Sequence, residues 1–362
     1  MSSQKLQHYV PKYYFRCFSG NENAIGTLLL KDGTCIEHAP IRGQCAKNDF
    51  YGSQEIEQIF SKAESGYSNA MKYAQGLGYG DYDDVPVEWW TQFCESITFQ
   101  RGRTALECER IAVHNEKLSL FAFEHAAIHS FDPELQIQAK ERLKNGEIRF
   151  HQDRRSAASF GAVMGMALAP AIYDLRVCFL QNHTDYPFVF ADTPVVIYNS
   201  HCRQIRNRGV LGWQNRGLQV FYPLNPDICV MLFDPATYSG PATQQLRHAV
   251  TERKDVSQIN ALQFHESLHA VYFACQSHAE YVYSLWNCHR HLIKPRMPMG
   301  RTNTGMLIDD QPIQGEHIHM MLSQSSHDLD LTFVSTNKIS EHDYSWKPRD
   351  PHAKEVLDAR MK

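Results

Sequence analysis

The sequence predicts an α+β fold, with a helix-rich N-terminal half packed against a mostly antiparallel sheet from the second half. Two observations carry that reading: apolar residues recur at helical spacing between 53 and 172, and β-branched and aromatic runs cluster between 174 and 235. A third narrows it. Neither a P-loop nor a G-x-G-x-x-G fingerprint occurs, so nucleotide binding through those loops is not indicated.

The elements follow in order. Ile25–Leu30 is a β-type run, Asp32-Gly33 is a hairpin turn signal because glycine accepts positive φ, and Cys35–Ala39 returns, giving a hairpin within 20–40. From Gln54 to about Gln75, Ile56, Ile59, Phe60, Ala63, Tyr67, Ala70 and Met71 form one core-facing helical stripe. Gly76–Asp84 is a turn-rich break. Pro86 opens the next helix, because its missing N–H is not needed in a first turn; this helix is expected to run past Arg103, interrupted at Gly102, to about Ala127. Asp132-Pro133 opens another that stops near Gly146. Ala157–Ala171 reads as a buried helix, since it falls short of the ~20 apolar residues that span a bilayer.

Arg176–Leu180, Phe188–Tyr198, Leu218–Tyr222 and Ile228–Phe233 read as strands of one sheet, and about Val256–Ala274 as a helix. The expected organisation is a single α+β domain over 1–290 (hairpin 20–40, helices 53–172, sheet 174–235, helix 254–275). A turn-rich C-terminal extension over 291–362 follows, with a short helical signal at Ala353–Met361.

Composition excludes some classes. Hydrophobic residues at 43% and charged residues at 21% allow a sizeable core. A net charge of −4 provides no global attraction to nucleic acid or an anionic membrane. The ten cysteines are scattered with no C-x-x-C pair. That predicts reduced, mostly buried thiols in a cytoplasmic protein. The opening residues lack the apolar stretch of a signal peptide. No membrane partner is expected, and oligomeric state is not specified.

The sharpest textual motif is His265-Glu266-Ser267-Leu268-His269. On a helix, the two histidines would project from one face toward a zinc ion, and Glu266 would activate its water. Against this, Tyr272 stands where an extended motif needs glycine, Glu280 is a weak third ligand, and 19 histidines make a chance match unsurprising. The bland alternative places His265 beside a helical core stripe of Ala261, Phe264, Leu268, Val271 and Cys275.

The opening run His8-Tyr9-Val10-Pro11-Lys12-Tyr13-Tyr14-Phe15-Arg16-Cys17-Phe18 packs one histidine, two strong bases and five aromatics into a stretch stiffened by Pro11. That suits a positioned acid/base or a binding contact through His8, Lys12 and Arg16, or simply a tethered terminus. The run resembles the opening of the bacterial family catalogued as domain of unknown function 4238. Further points agree in order: Asp32-Gly33, Asn48-Asp49-Phe50-Tyr51, Glu64, Gln100 with Arg103-Thr104, Phe190-Ala191-Asp192-Thr193-Pro194-Val195, Phe221–Pro226, and Asn260 with Gln263. The resemblance covers about 5–275. Ala191 and Asn225 stand where the family has serine, and the family supplies no established activity. The kind of family suggests a defence or mobile-element role.

Within that pattern, Gln100 and Arg103 share a helical face behind Trp89, Phe93 and Ile97. A buried arginine needs a carboxylate or an anionic ligand. Asp192 is the expected partner, with His8 completing an acid/base pair. The functional version is a pocket of His8, Gln100, Arg103 and Asp192 that binds or hydrolyses a phosphate- or carboxylate-bearing ligand; the structural version is a buried Arg–Asp bridge. From Thr193 to Pro226 no acidic residue occurs, whereas His201, Arg203, Arg206, Arg208 and Arg216 fall beside Trp213. That loop either contacts phosphates, with Trp213 stacking on a base, or is a solvated loop. The competing functions are a nuclease-like hydrolase or effector, a non-catalytic sensor of a small anion or nucleic acid, and a zinc hydrolase at His265, Glu266 and His269. No cofactor is specified, and a divalent metal is compatible with the hydrolytic readings.

Overall fold

The chain opens with a short strand, β1 (Leu6–His8), before Pro11 starts helix α1 (Lys12–Phe18). The computed structural model describes residues 6–19, 23–76, 85–129, 132–205, 209–291, 299–303, 307–308, 311–312, 316–320, 324–325, 327–340, 342–345 and 348–349. The hairpin of β2 (Ala24–Leu29) and β3 (Cys35–Pro40) turns at Gly33, which has φ +77 and leaves no room for a Cβ, 2.4 Å from the Trp286 ring. Strand β4 (Ala46–Asn48) pairs with β1.

Helix α2 (Gln54–Gly76) buries Phe60, Tyr67, Ala70 and Met71 of the expected stripe, and Ala74 with them; Ile56 and Ala63 are half-buried and Ile59 is exposed. Helix α3 (Val87–Gly102) starts after Pro86 and breaks at Gly102–Thr104 before α4 (Ala105–His129). A Cβ at Gly102 would lie 2.2 Å from the carbonyl of Gly161, so the backbones touch where α3 crosses α6 (Arg154–Ala167). Between them α5 (Pro133–Lys144) is capped by Asp132, which accepts from the Leu135 amide. Asp153 caps α6 in the same way, so that helix begins before Ala157; Phe160, Val163 and Met164 are exposed, making it half-buried rather than buried. The expected break at Gly76–Asp84 lies almost wholly outside the described residues, as does the signal at Ala353–Met361.

The remaining elements are β5 (Arg176–Asn182), β6 (Phe190–Ala191), β7 (Val196–Tyr198), β8 (Gln219–Asn225), β9 (Ile228–Phe233), β10 (Arg247–Val250), α7 (Arg253–His265), β11 (Ala270–Phe273) and α8 (Ala279–His289). Two small hairpins follow: β12 (Met299–Asn303) pairs with β15 (Glu316–Met320), and β13 (Leu307–Ile308) with β14 (Gln311–Pro312).

The expected single sheet is two. One has the order β10-β5-β9-β8-β7, antiparallel except for the parallel β10–β5 pair. The other is β3-β2-β11-β6, antiparallel throughout. The run Phe188–Tyr198 splits at Asp192-Thr193-Pro194: β6 joins the second sheet and β7 the first. Pro194 has no N–H for a ladder, so the strand cannot continue through it.

The larger sheet is apolar on both faces, which explains its continuous hydrophobic runs. Val177, Phe179, Val220, Tyr222, Val230 and Leu232 face the helical half. The alternate residues Cys178, Phe221, Cys229, Met231 and Phe233 face α7 and a C-terminal strap that inserts Leu329, Leu331 and Phe333. The extension read as turn-rich therefore supplies part of a core. No described helix is long and apolar enough to cross a membrane, and all ten cysteines are free.

Candidate functional site

Arg103, at the C-terminal end of α3, is 2% exposed. Its guanidinium lies 4.8 Å from the Phe99 ring centroid. Nε donates to the Tyr51 hydroxyl at 2.9 Å, one Nη donates to the backbone carbonyl of His8, and the other pairs with Glu64 of α2. The carboxylate partner is thus Glu64 and not Asp192, because α2 packs along α3 and brings Glu64 over the guanidinium. Gln100, on the preceding turn, donates to the carbonyl of Tyr9 at 3.0 Å. Both side chains hold the main chain of residues 8–9 in place.

The His8 imidazole is engaged elsewhere, 3.1 Å from the carbonyl of Arg42. Burial, then Lys12, lowers its pKa. Asp192 is fully occupied: one oxygen accepts from the Ser267 hydroxyl and the Leu268 amide at 3.0 and 2.9 Å, the other from the His269 amide at 2.7 Å. Burial raises its pKa, with the Leu268 amide opposing. So the structure gathers Gln100 and Arg103 around the backbone at His8, while Asp192 stabilises the turn after α7.

That turn removes the geometry of the zinc motif. Helix α7 ends at His265, and the expected continuation to Ala274 is instead a turn followed by β11. The segment Ala270-Val271-Tyr272-Phe273 has strand-forming residues, and Asp192 captures the amides before it. His265 is buried and His269 exposed, with no helical face in common. Glu266 is buried between Arg101 at 2.9 Å and Arg110 at 3.0 Å. Burial alone would raise its carboxyl, but Arg110 and Arg101 hold it down at about 2. Glu280 is exposed at the opposite end of α8 from His289.

The basic loop is also partly committed. Arg203 pairs with Asp328 at 3.0 Å, and Trp213 is half-buried against the helical core. Arg206 and Arg208 lie outside the described residues. Lys12 is half-buried at the start of α1, and Arg16 is exposed.

A different cluster emerges around His265. Its ring lies 5.4 Å from that of His289 and 5.8 Å from that of His327, and those two are 5.3 Å apart. One nitrogen from each ring lies within 4.8 Å of the others. His265 is the last residue of α7 and His289 the last of α8. The C-terminal ends of two helices, with their partial negative charge, therefore carry the ligands. His327 arrives on the strap. Burial lowers the pKa of His289, with His291 adding to it, and burial followed by His289 lowers His327 to about 4. Both shifts favour the neutral ring, the form that binds metal.

His289 Nδ1 and His327 Nε2 are buried with no hydrogen-bond partner among the described residues. The His327 ring is hydrogen-bonded to the main chain of Gln258, which fixes its orientation as an outer-shell contact would at a metal site. The sequence singled out His265 for a reason that does not hold, and carried no signal for His289 or His327.

A family model described as "Protein of unknown function (DUF4238)" matches residues 6–277, more than half of the chain, and the protein belongs to that family. His265 lies inside the match; His289 and His327 lie beyond it. No curated protein and no solved structure matches the chain.

Proposed function

We propose that this member of the DUF4238 family binds a divalent transition-metal ion, zinc above all, at His265, His289 and His327, and uses it in hydrolysis. The observation that carries the reading is the convergence of three buried or half-buried imidazoles with ligand atoms within 4.8 Å, where His289 Nδ1 and His327 Nε2 have no other partner among the described residues. Buried polar atoms in native proteins are nearly always satisfied, so such nitrogens call for a ligand. Imidazole suits zinc, copper, iron and nickel, and zinc imposes no geometric preference of its own. Zn–N bonds of about 2.0–2.1 Å place tetrahedral ligand nitrogens about 3.3 Å apart, so the rings close in when the ion binds.

No fourth His, Cys, Asp or Glu joins the group among the described residues. Three protein ligands with one open position is the pattern of catalytic rather than structural zinc. A metal so held lowers the pKa of a coordinated water and polarises a carbonyl or phosphoryl oxygen. Three neutral ligands leave the ion's charge uncompensated, which favours an anionic substrate such as a phosphate ester. The contacts of Arg103 and Asp192 would have to break for an anion to bind there, so their part in this reading is to hold the scaffold.

The test is metal analysis of chelator-treated protein after zinc is returned, followed by hydrolysis of phosphate-ester and carboxylate-ester chromogenic substrates. One equivalent per chain is expected, with turnover absent from chelated protein and from His289→Ala. Unchanged zinc content in a variant lacking all three imidazoles contradicts the site. Zinc binding without turnover makes the protein a metal-binding sensor instead.

A further inference from the structure

We infer that residues 327–334 form a latch that the metal ion closes, an inference that rests on the metal-binding reading above. Helix α7 presents Asp255, Gln258, Leu262 and His265 at successive turns of one side. The strap runs antiparallel along it. The Thr332 amide and hydroxyl bond to the Asp255 carboxylate. The Asp330 amide bonds to Gln258 Oε1, and Gln258 Nε2 returns a bond of 3.0 Å to the Asp330 carbonyl. His327 then stacks on His265, with 19° between the rings. Alternate residues Leu329, Leu331 and Phe333 are buried in the core shared with α7 and the larger sheet.

The end of the strap nearest the metal is held otherwise by polar contacts alone: the His327 ring bonds the main chain of Gln258, Arg203 pairs with Asp328 at 3.0 Å, and Gln324 bonds the Asn199 amide and the Cys202 carbonyl. Tyr198 donates to the His327 carbonyl at 2.8 Å, and its oxygen accepts from the Leu329 amide at 3.3 Å. Closing this end without metal takes His327 Nε2 out of water and gives it no partner, which opposes closure. A metal ion on all three imidazoles turns that opposing contribution into a favourable one. It ties the strap to the ends of both helices, and the strap cannot lift without losing a ligand. Lifting uncovers the apolar side of α7 and parts Arg203 from Asp328, since both pairings run through the strap. Metal occupancy therefore governs whether the apolar core and Arg203 are covered.

Because the metal binds only the closed form, the opening equilibrium falls by a factor of 1 + [L]/Kd. Hydrogen exchange followed by mass spectrometry on the full chain, with and without zinc, reads this directly. At zinc a hundredfold above its Kd, amides in 327–335 are expected to exchange about a hundredfold more slowly than in chelator, while amides of α5 that exchange by local opening are unaffected. His289→Ala, which leaves the strap sequence intact, must show chelator-like exchange with zinc present. If one equivalent of zinc binds and exchange at 327–335 does not change, the latch is wrong and the metal site stands. If zinc does not bind, both fall.

Discussion

Around Arg103 and around His327 the chain buries polar side chains with opposite outcomes. At Arg103, Tyr51, Glu64 and the His8 carbonyl each answer one nitrogen of the guanidinium, and Gln100 secures the next carbonyl along. At His327 and His289, ring nitrogens are enclosed with no protein partner among the described residues. The first arrangement is a finished structural unit that ties the N-terminal strand to α2 and α3. The second is unfinished, and on the function proposed above a cation completes it. What separates a polar cluster that holds a fold from one that awaits a ligand is whether its hydrogen-bonding capacity is already used.

Substitutions sharpen this contrast. Arg103→Ala strands Glu64, the Tyr51 hydroxyl and the His8 carbonyl at once, and chemical denaturation should show a loss of about 3–5 kcal/mol. Zinc at a hundred times its Kd should add about 2.7 kcal/mol to the wild type in the same assay. It should add nothing to His265→Ala; a comparable gain there would break the comparison. Asp192→Ala leaves the amides of Leu268 and His269 without their acceptor, while the Ser267 hydroxyl keeps the Ala270 carbonyl. The expected cost is about 1–3 kcal/mol, metal present or absent. The smallest effect is expected from His327→Leu in chelator: it loses the ring's bond to the Gln258 main chain but also removes a nitrogen with no partner among the described residues, and should change stability by less than about 1 kcal/mol. A loss as large as that of Arg103→Ala would mean the imidazole is structural.

Local pattern made much of the fold legible. The α2 stripe, the Asp32-Gly33 turn, the Asp132 cap and the break at Gly102 each follow from residues close in sequence. Two features depended on distant partners. The run Phe188–Tyr198 reads as one strand, but Pro194 and the role of Asp192 in the turn at 267–269 divide it between two sheets. The segment 256–274 reads as one helix because Phe264, Leu268, Val271 and Cys275 have helical spacing; strands β2 and β6 on either side of β11 decide otherwise. The site was less legible still. Arg103 announced a carboxylate partner, and Glu64 was visible in the motif pattern, but nothing local ranked it above Asp192. His265-Glu266 suggested zinc through a geometry that Arg101 and Arg110 abolish by claiming Glu266. The cluster itself joins two helix ends and a strap, so no spacing in the sequence encodes it.

The most direct measurement is anomalous diffraction at the zinc edge from crystals of the zinc-soaked full chain. A single peak coordinated by nitrogens of His265, His289 and His327 is the predicted result. Rings that stay apart with no peak between them, or a peak confined to other residues, would contradict the account.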